Sequence, residues 1–192
     1  MKKIITSIAV LLCCLGPAAA QDDNCFSVIV GRAATVDGSV LMAHNEDDHG
    51  EQMLNIYVVP ASGKNLRYIW CEFPGMEVAD VFMNQFGVSV ASNGCPSRED
   101  KGVLVGDGVL YEIRTSIARY ARTAREAVVI VGTMVETFGY RGSGRSYIVA
   151  DPTEGWVISV VKGKHWVAQR VPDDKVMTIP NYYVIGDVDL DD

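Results

Sequence analysis

The chain has 192 residues, with 24 acidic against 17 basic side chains and a formal charge of −7. Its 48% hydrophobic and 21% charged residues are an ordinary globular composition. An acidic protein with no basic run offers nothing to nucleic acid or anionic lipid, which excludes those partner classes.

The first element is a three-part secretory leader: Lys2 and Lys3, the apolar stretch from Ile4 to Leu15, then Gly16-Pro17-Ala18-Ala19-Ala20. Small residues at Ala18 and Ala20 place signal-peptidase cleavage after Ala20, so residues 1–20 read as a signal peptide. Its apolar core is too short for a membrane span, and no later stretch nears the required ~20 apolar residues, so no membrane anchor is expected in the mature chain. The tetrapeptide Gln21-Asp22-Asp23-Asn24 then separates the cut from Cys25 and reads as a short propeptide. Cys13 and Cys14 leave with the leader, so Cys25, Cys71 and Cys95 remain. With an odd number, at least one is free of an intramolecular bridge. The mature protein is expected to be periplasmic or extracellular.

From Cys25 on, no repeat, linker or low-complexity tract divides the sequence, so residues 25–192 read as one domain or part of one. The clearest hairpin spans residues 26–44. Ser27-Val28-Ile29-Val30 and Ser39-Val40-Leu41-Met42 flank a turn containing Asp37-Gly38. Short β-rich segments follow at Asn55 to Val59, Leu66 to Glu72 and Gly87 to Ser92. Two helices come next. Gly108 to Ala121 aligns Val109, Ile113, Ile117 and Tyr120 on one face. The second opens with the capping box Thr123-Ala124-Arg125-Glu126 and stops at Gly139. Strands resume at Arg145 to Ala150, Trp156 to Val161 and His165 to Val171, with a turn at Asp151 to Gly155. Gly142 to Ser146 reads as a turn feeding a strand. This order predicts an α+β fold with helices packed on an antiparallel sheet. The end, Asp187-Val188-Asp189-Leu190-Asp191-Asp192, supplies no closing element, so a longer parent protein is expected.

Cys25 carries the candidate chemistry. If Gln21 to Asn24 are removed, it becomes the N-terminal residue, with a thiol and a free α-amine on one carbon. That pair is a nucleophile with its own base. The other readings are a buried structural cysteine, a disulfide half with Cys71 or Cys95, or a lipidated cysteine. Lipidation wants a small residue before the cysteine, and Asn24 stands there. In a tight hairpin, the end of the second strand returns beside the start of the first, so His44 to Asp47 come back next to Cys25. A terminal amine needs an oxygen to hold it. Asp47 is the candidate, with Asn45 and Asp48 as alternatives, while Glu46 and Asp48 also read as a solvated acidic loop. His49 follows that loop and could line an entrance to the site. Three scattered histidines and no paired cysteines argue against a zinc site, and no cofactor is expected.

Cys25-Phe26-Ser27-Val28-Ile29-Val30-Gly31, Asp37-Gly38-Ser39 and Ala43-His44-Asn45-Glu46-Asp47-Asp48 resemble the N-terminus of bacterial dipeptidases of the N-terminal-nucleophile (Ntn) hydrolase superfamily. These cysteine peptidases are related to penicillin V acylase and conjugated bile salt hydrolase. The similarity continues through Thr123 to Ala127, Gly142 to Tyr147, His165 to Pro172 and Ile179-Pro180-Asn181. The resemblance implies a four-layer αββα sandwich, of which residues 25–192 are the N-terminal part, and maturation by propeptide loss. It implies hydrolysis of dipeptides through a thioester acyl-enzyme, with small peptides as partners; assembly with further copies stays open. An arginine of the acylases falls at His44 here, and His44 and Asn45 are assigned to substrate contact. The relatives' oxyanion donors point first to Asn93 and second to Asn181. A bile-salt or penicillin-type linear amide acylase, and a non-catalytic exported module with a structural Cys25, are the alternative readings.

Overall fold

The computed structural model describes residues 25–47, 53–72 and 79–188. The expected signal peptide and propeptide, Asp48, His49 and residues 189–192 lie outside the described residues.

The hairpin forms as its turn chemistry predicts. Strand β1 (Phe26–Val30) pairs antiparallel with β2 (Leu41–Asn45), placing Phe26 opposite Asn45 and Ser27 opposite His44. In the connection, the Asp37 carboxylate accepts from the Ser39 amide at 3.0 Å and hydroxyl at 2.6 Å, a local bond that fixes the bend. The other edge of β1 pairs with β10 (Val176–Ile179), with Ser27 opposite Ile179. These three strands form a small sheet in the order β10-β1-β2.

The larger sheet has seven antiparallel strands in sequence order: β3 (Asn55–Val59), β4 (Tyr68–Glu72), β5 (Ala79–Asn84), β6 (Ser89–Gly94), β7 (Tyr140–Ala150), β8 (Gly155–Gly163) and β9 (Trp166–Arg170). Helices α1 (Glu112–Tyr120) and α2 (Ala124–Phe138) sit between β6 and β7 in the chain and cover one face of this sheet. The small sheet covers the other face. Among the described residues the layers therefore run helix pair, large sheet, small sheet, and the expectation of helices on an antiparallel sheet holds.

Strand alternation sorts the two cores. Val90, Tyr147, Val149, Ile158 and Val160 face the helices and meet Ile113, Ile117, Val131 and Val135. Ala91, Ile148 and Val157 face the small sheet and meet Ile29, Val171 and Ile179. Each fully buried isoleucine or valine stabilises the fold by about 1.5–3 kcal/mol. The sheets approach closely at Gly155, where a Cβ would lie 2.5 Å from the Ile29 side chain.

Two boundaries differ from the sequence reading. The first helix starts at Glu112 rather than Gly108, because Gly108 takes φ +66°, outside the helical region. The strand expected from Arg145 begins at Tyr140, so Gly142 to Gly144 lie inside β7 at a register shift rather than in a turn. The capping box forms with a displaced partner. Thr123 Oγ1 accepts from the Glu126 amide at 3.1 Å, while the Glu126 carboxylate accepts from the Arg122 amide at 2.8 Å instead of from Thr123.

Asp151 joins the β7–β8 turn to α2. Its Oδ1 accepts from the Thr153 amide and hydroxyl and the Glu154 amide, and its Oδ2 accepts from the Ala124 amide at 2.7 Å. Burial pushes this carboxyl up, yet those donors outweigh it and hold it below its ordinary range. A depressed folded-state value means the stabilisation is present above the unfolded value of ~3.9 and is lost as pH falls through the folded one. Asp151→Ala is therefore expected to cost about 1–3 kcal/mol in urea unfolding at neutral pH, with a smaller penalty near pH 3. An equal penalty at both pH values would remove the carboxylate charge from this account.

Candidate active site

Cys25 stands immediately before β1 and is only 7% exposed. Its thiol donates to Glu46 Oε1 at 3.2 Å. The main-chain amide of Asp47 and the side-chain amide of Asn181 also hydrogen-bond the sulfur. Burial pushes the thiol up most, the Asp47 amide pulls it down, and the Glu46 carboxylate pushes it up by charge and by accepting its proton. Asn181 pulls it down, and the net is a thiol above its ordinary range. Chemically this is a protonated, water-poor thiol with two amide donors that favour its charged form.

Behind the thiol runs a chain of polar contacts linking both sheets. Glu46 Oε2 lies 2.9 Å from His44 Nε2, and His44 Nδ1 lies 2.8 Å from Ser27 Oγ. Ser27 donates to Asn93 Oδ1 at 2.5 Å, and Asn93 Nδ2 donates to the Ile179 carbonyl at 3.1 Å. Burial raises the Glu46 carboxyl. Hydrogen bonds from His44 and Cys25, with the positive charges of His44 and Arg145, outweigh it and hold Glu46 below the usual carboxylate range.

The expected residues occupy unequal positions. Cys25 is at the centre. Asp47 reaches the thiol through its main chain, and its side chain is exposed; the carboxylate against the sulfur is Glu46. His44, expected to touch substrate, is turned inward with its side chain 3% exposed and both ring nitrogens engaged. Asn45 is exposed one position on, where strand alternation puts it on the outer face of β2. Asn93, the first oxyanion candidate, is fully buried behind Ser27 with its amide oxygen and nitrogen both bonded, and it does not reach the thiol. Asn181 does reach it. Its Nδ2 also donates to the Gly94 carbonyl at 2.9 Å, and its buried Oδ1 has no hydrogen-bond partner.

Sequence reasoning left out Glu46 and Ser27. The signal was available: Ser27 pairs with His44, so on the two-residue period of β2 the inward position after His44 is Glu46. Among the described residues Cys25, Cys71 and Cys95 are all free, so the expected alternative of a bridge from Cys25 to Cys71 or Cys95 is not formed. Cys95 is buried, donating to Ser146 Oγ at 3.3 Å, and burial pushes its thiol up despite Ser146 and Arg145. His165 is exposed and lines a cavity of about 230 Å³ with Ser159, Trp166, Tyr183 and neighbouring aliphatic residues. Among the described residues, no group of three His, Cys, Asp or Glu side chains converges to hold a metal ion.

Comparison with known proteins agrees with the resemblance read from the N-terminal motifs. Residues 102–192 match Peptidase family C69. The chain is 29% identical over 210 residues to a dipeptidase of Bifidobacterium longum, covering 88% of this chain and 39% of that protein. It is 26% identical to a probable dipeptidase A of Streptococcus pyogenes (86% and 41% covered) and 25% identical to a probable dipeptidase B of Lactococcus lactis (88% and 41% covered). The chain thus spans about two fifths of the length of these curated relatives. In structure it is similar to penicillin V acylase from Agrobacterium tumefaciens, with a TM-score of 0.54 and 14% identity over 80% of this chain and 51% of that one. That likeness shows a shared fold and nothing beyond it.

The carboxylate beside Cys25 has a measurable signature. In the chain that still carries Asn24, Glu46→Gln removes a negative charge 3.2 Å from the sulfur. The pH midpoint of Cys25 alkylation by iodoacetamide is expected to fall, because thiolate formation no longer opposes a like charge. An unmoved midpoint would take the Glu46 carboxylate out of the thiol's surroundings.

Proposed function

We propose that this chain is the nucleophile-bearing part of an exported cysteine dipeptidase. The observation that carries the reading is the buried Cys25 thiol at the edge of the two-sheet sandwich, ringed by the Glu46 carboxylate, the Asp47 amide and the Asn181 side chain. The dipeptidase relatives and the match to Peptidase family C69 supply the reaction class. Identity between this chain and the acylase structure is too low to argue for acylase chemistry.

The mechanism follows from where Cys25 stands in the chain. While Asn24 is attached, the nitrogen of Cys25 is an amide and no base. Removal of residues 1–24, as signal peptide and propeptide, would free an α-amine with a pKa of ~7.7–8.0 beside a thiol whose unperturbed value is ~8.5. The amine takes the thiol proton, directly or through one water, and the thiolate attacks the peptide carbonyl. The protonated amine then delivers its proton to the departing peptide nitrogen, leaving a thioester. It next activates the water that hydrolyses that thioester. The Asn181 amide and the Asp47 main-chain amide, both already directed at the sulfur, are the donors for the oxyanion formed next to it. The unpartnered Asn181 Oδ1 is an acceptor suited to the terminal amine or to a substrate N–H.

The reading extends to the whole enzyme. A second helical layer over the outer face of the small sheet would complete a four-layer αββα sandwich. The side chains there are apolar and open: Phe26 is 42% exposed, Leu41 52% and Val176 56%. Small peptides are the substrates, and the mature protein works outside the cytoplasm.

Cys25→Ala in the full-length protein is expected to lower dipeptide hydrolysis by at least about 10³-fold while leaving thermal unfolding unchanged. Retained turnover would end the nucleophile assignment. Intact mass of the exported protein should give an N-terminus at Cys25; a stable terminus at Gln21 in active enzyme would overturn the N-terminal-amine mechanism.

A further inference from the structure

We propose that His44 is a positioning residue that carries protons on both ring nitrogens in the folded site. As an imidazolium it presents Glu46 to Cys25. The argument is an accounting of donors along one chain of contacts. The Ile179 carbonyl can only accept, so it takes an N–H from Asn93 Nδ2 and thereby turns Asn93 Oδ1 toward Ser27. That oxygen also only accepts, so the single hydroxyl proton of Ser27 is committed to it. Ser27 Oγ is then left as an acceptor toward His44, and His44 Nδ1 must carry the proton between them at 2.8 Å. At the other ring nitrogen, Nε2 lies 2.9 Å from Glu46 Oε2. Glu46 is held below the usual carboxylate range and is ionised, so a bare Nε2 would set two lone pairs facing each other across that distance. A proton there turns the contact into a charge-assisted hydrogen bond. A main-chain carbonyl of β10 therefore fixes, three groups away, the Nδ1 proton of His44, and the Glu46 carboxylate calls for the second proton at Nε2.

The consequence is a fixed seat for the Glu46 carboxylate against the sulfur. The groups facing the pair are the Cys25 thiol ahead of β1, the exposed Asp47 next to Glu46, and Arg145 from β7, whose charge reaches both Glu46 and Cys95. Without a proton on Nε2 the Glu46 carboxylate would meet a lone pair and lose its seat against the sulfur. This deepens the proposed function, and its catalytic meaning rests on that reading; the protonation state does not.

The decisive experiment is ¹⁵N NMR of the full-length protein labelled at histidine, at neutral pH, with exposed His165 as internal reference. Wild type is expected to show both His44 nitrogens protonated. In Glu46→Gln the side-chain amide can donate to Nε2, so one protonated nitrogen, Nδ1, is expected. A wild-type His44 with one bare nitrogen would overturn the proposal without touching the dipeptidase reading. Hydrolysis is the second readout. His44→Gln is expected to be about 10–100-fold slower, consistent with losing one positioned charged contact. If His44→Gln is as fast as wild type, His44 does not position Glu46 and the proposal fails. If wild type hydrolyses no dipeptide while His44 is doubly protonated, the functional reading fails and this one stands.

Discussion

Asn93 crosses the gap between the two sheets, and the site depends on that crossing. It projects from β6 of the large sheet, accepts from Ser27 on β1 and donates to the Ile179 carbonyl on β10. One amide thus fixes the lateral position of two strands of the small sheet against the large one. Cys25 leads directly into β1, and Pro180 and Asn181 follow β10. Cys25 and its amide neighbour therefore inherit their spacing from this single clasp.

The clasp works because apolar packing surrounds it. Ile29, Ile179 and Val171 from one side, and Ala91, Ile148 and Val157 from the other, exclude water from the gap. In that low-dielectric setting a hydrogen bond is stronger and an unpaired polar group costs more. A network that keeps every donor aligned holds one arrangement, and a half-satisfied one would collapse. The polar run Ser27–His44–Glu46 is tolerable inside the sandwich for this reason, and the same burial pushes the Cys25 thiol upward. The raised thiol and the scaffold share one physical cause.

Much of the fold was legible in the chain. The Asp37-Gly38 turn, the Thr123 cap and the glycine at 139 are local signals, set by side chains within a few residues of where they act. The boundaries that shifted were set at longer range. Gly108 closes against the Gly139 carbonyl, so its backbone turns to a positive φ and the helix waits until Glu112. Asp47 looked like the amine's partner because it is a carboxylate near Cys25 in sequence terms. Strand parity instead turns Glu46 inward and leaves Asp47 to act through its main chain.

By itself the sequence determined the class of fold and the hairpin that returns residues 44–47 to Cys25, and it offered Cys25 as the candidate terminal nucleophile. Those follow from local turn chemistry and from position along the chain. Only the tertiary structure decided which of the neighbouring polar groups touch the sulfur. Asn93 and Asn181 are indistinguishable as sequence, yet one is sealed into the clasp between sheets and the other reaches the thiol. The reason is that their fates depend on the pairing of β10 with β1 and on the packing of two sheets, contacts that join residues more than sixty positions apart.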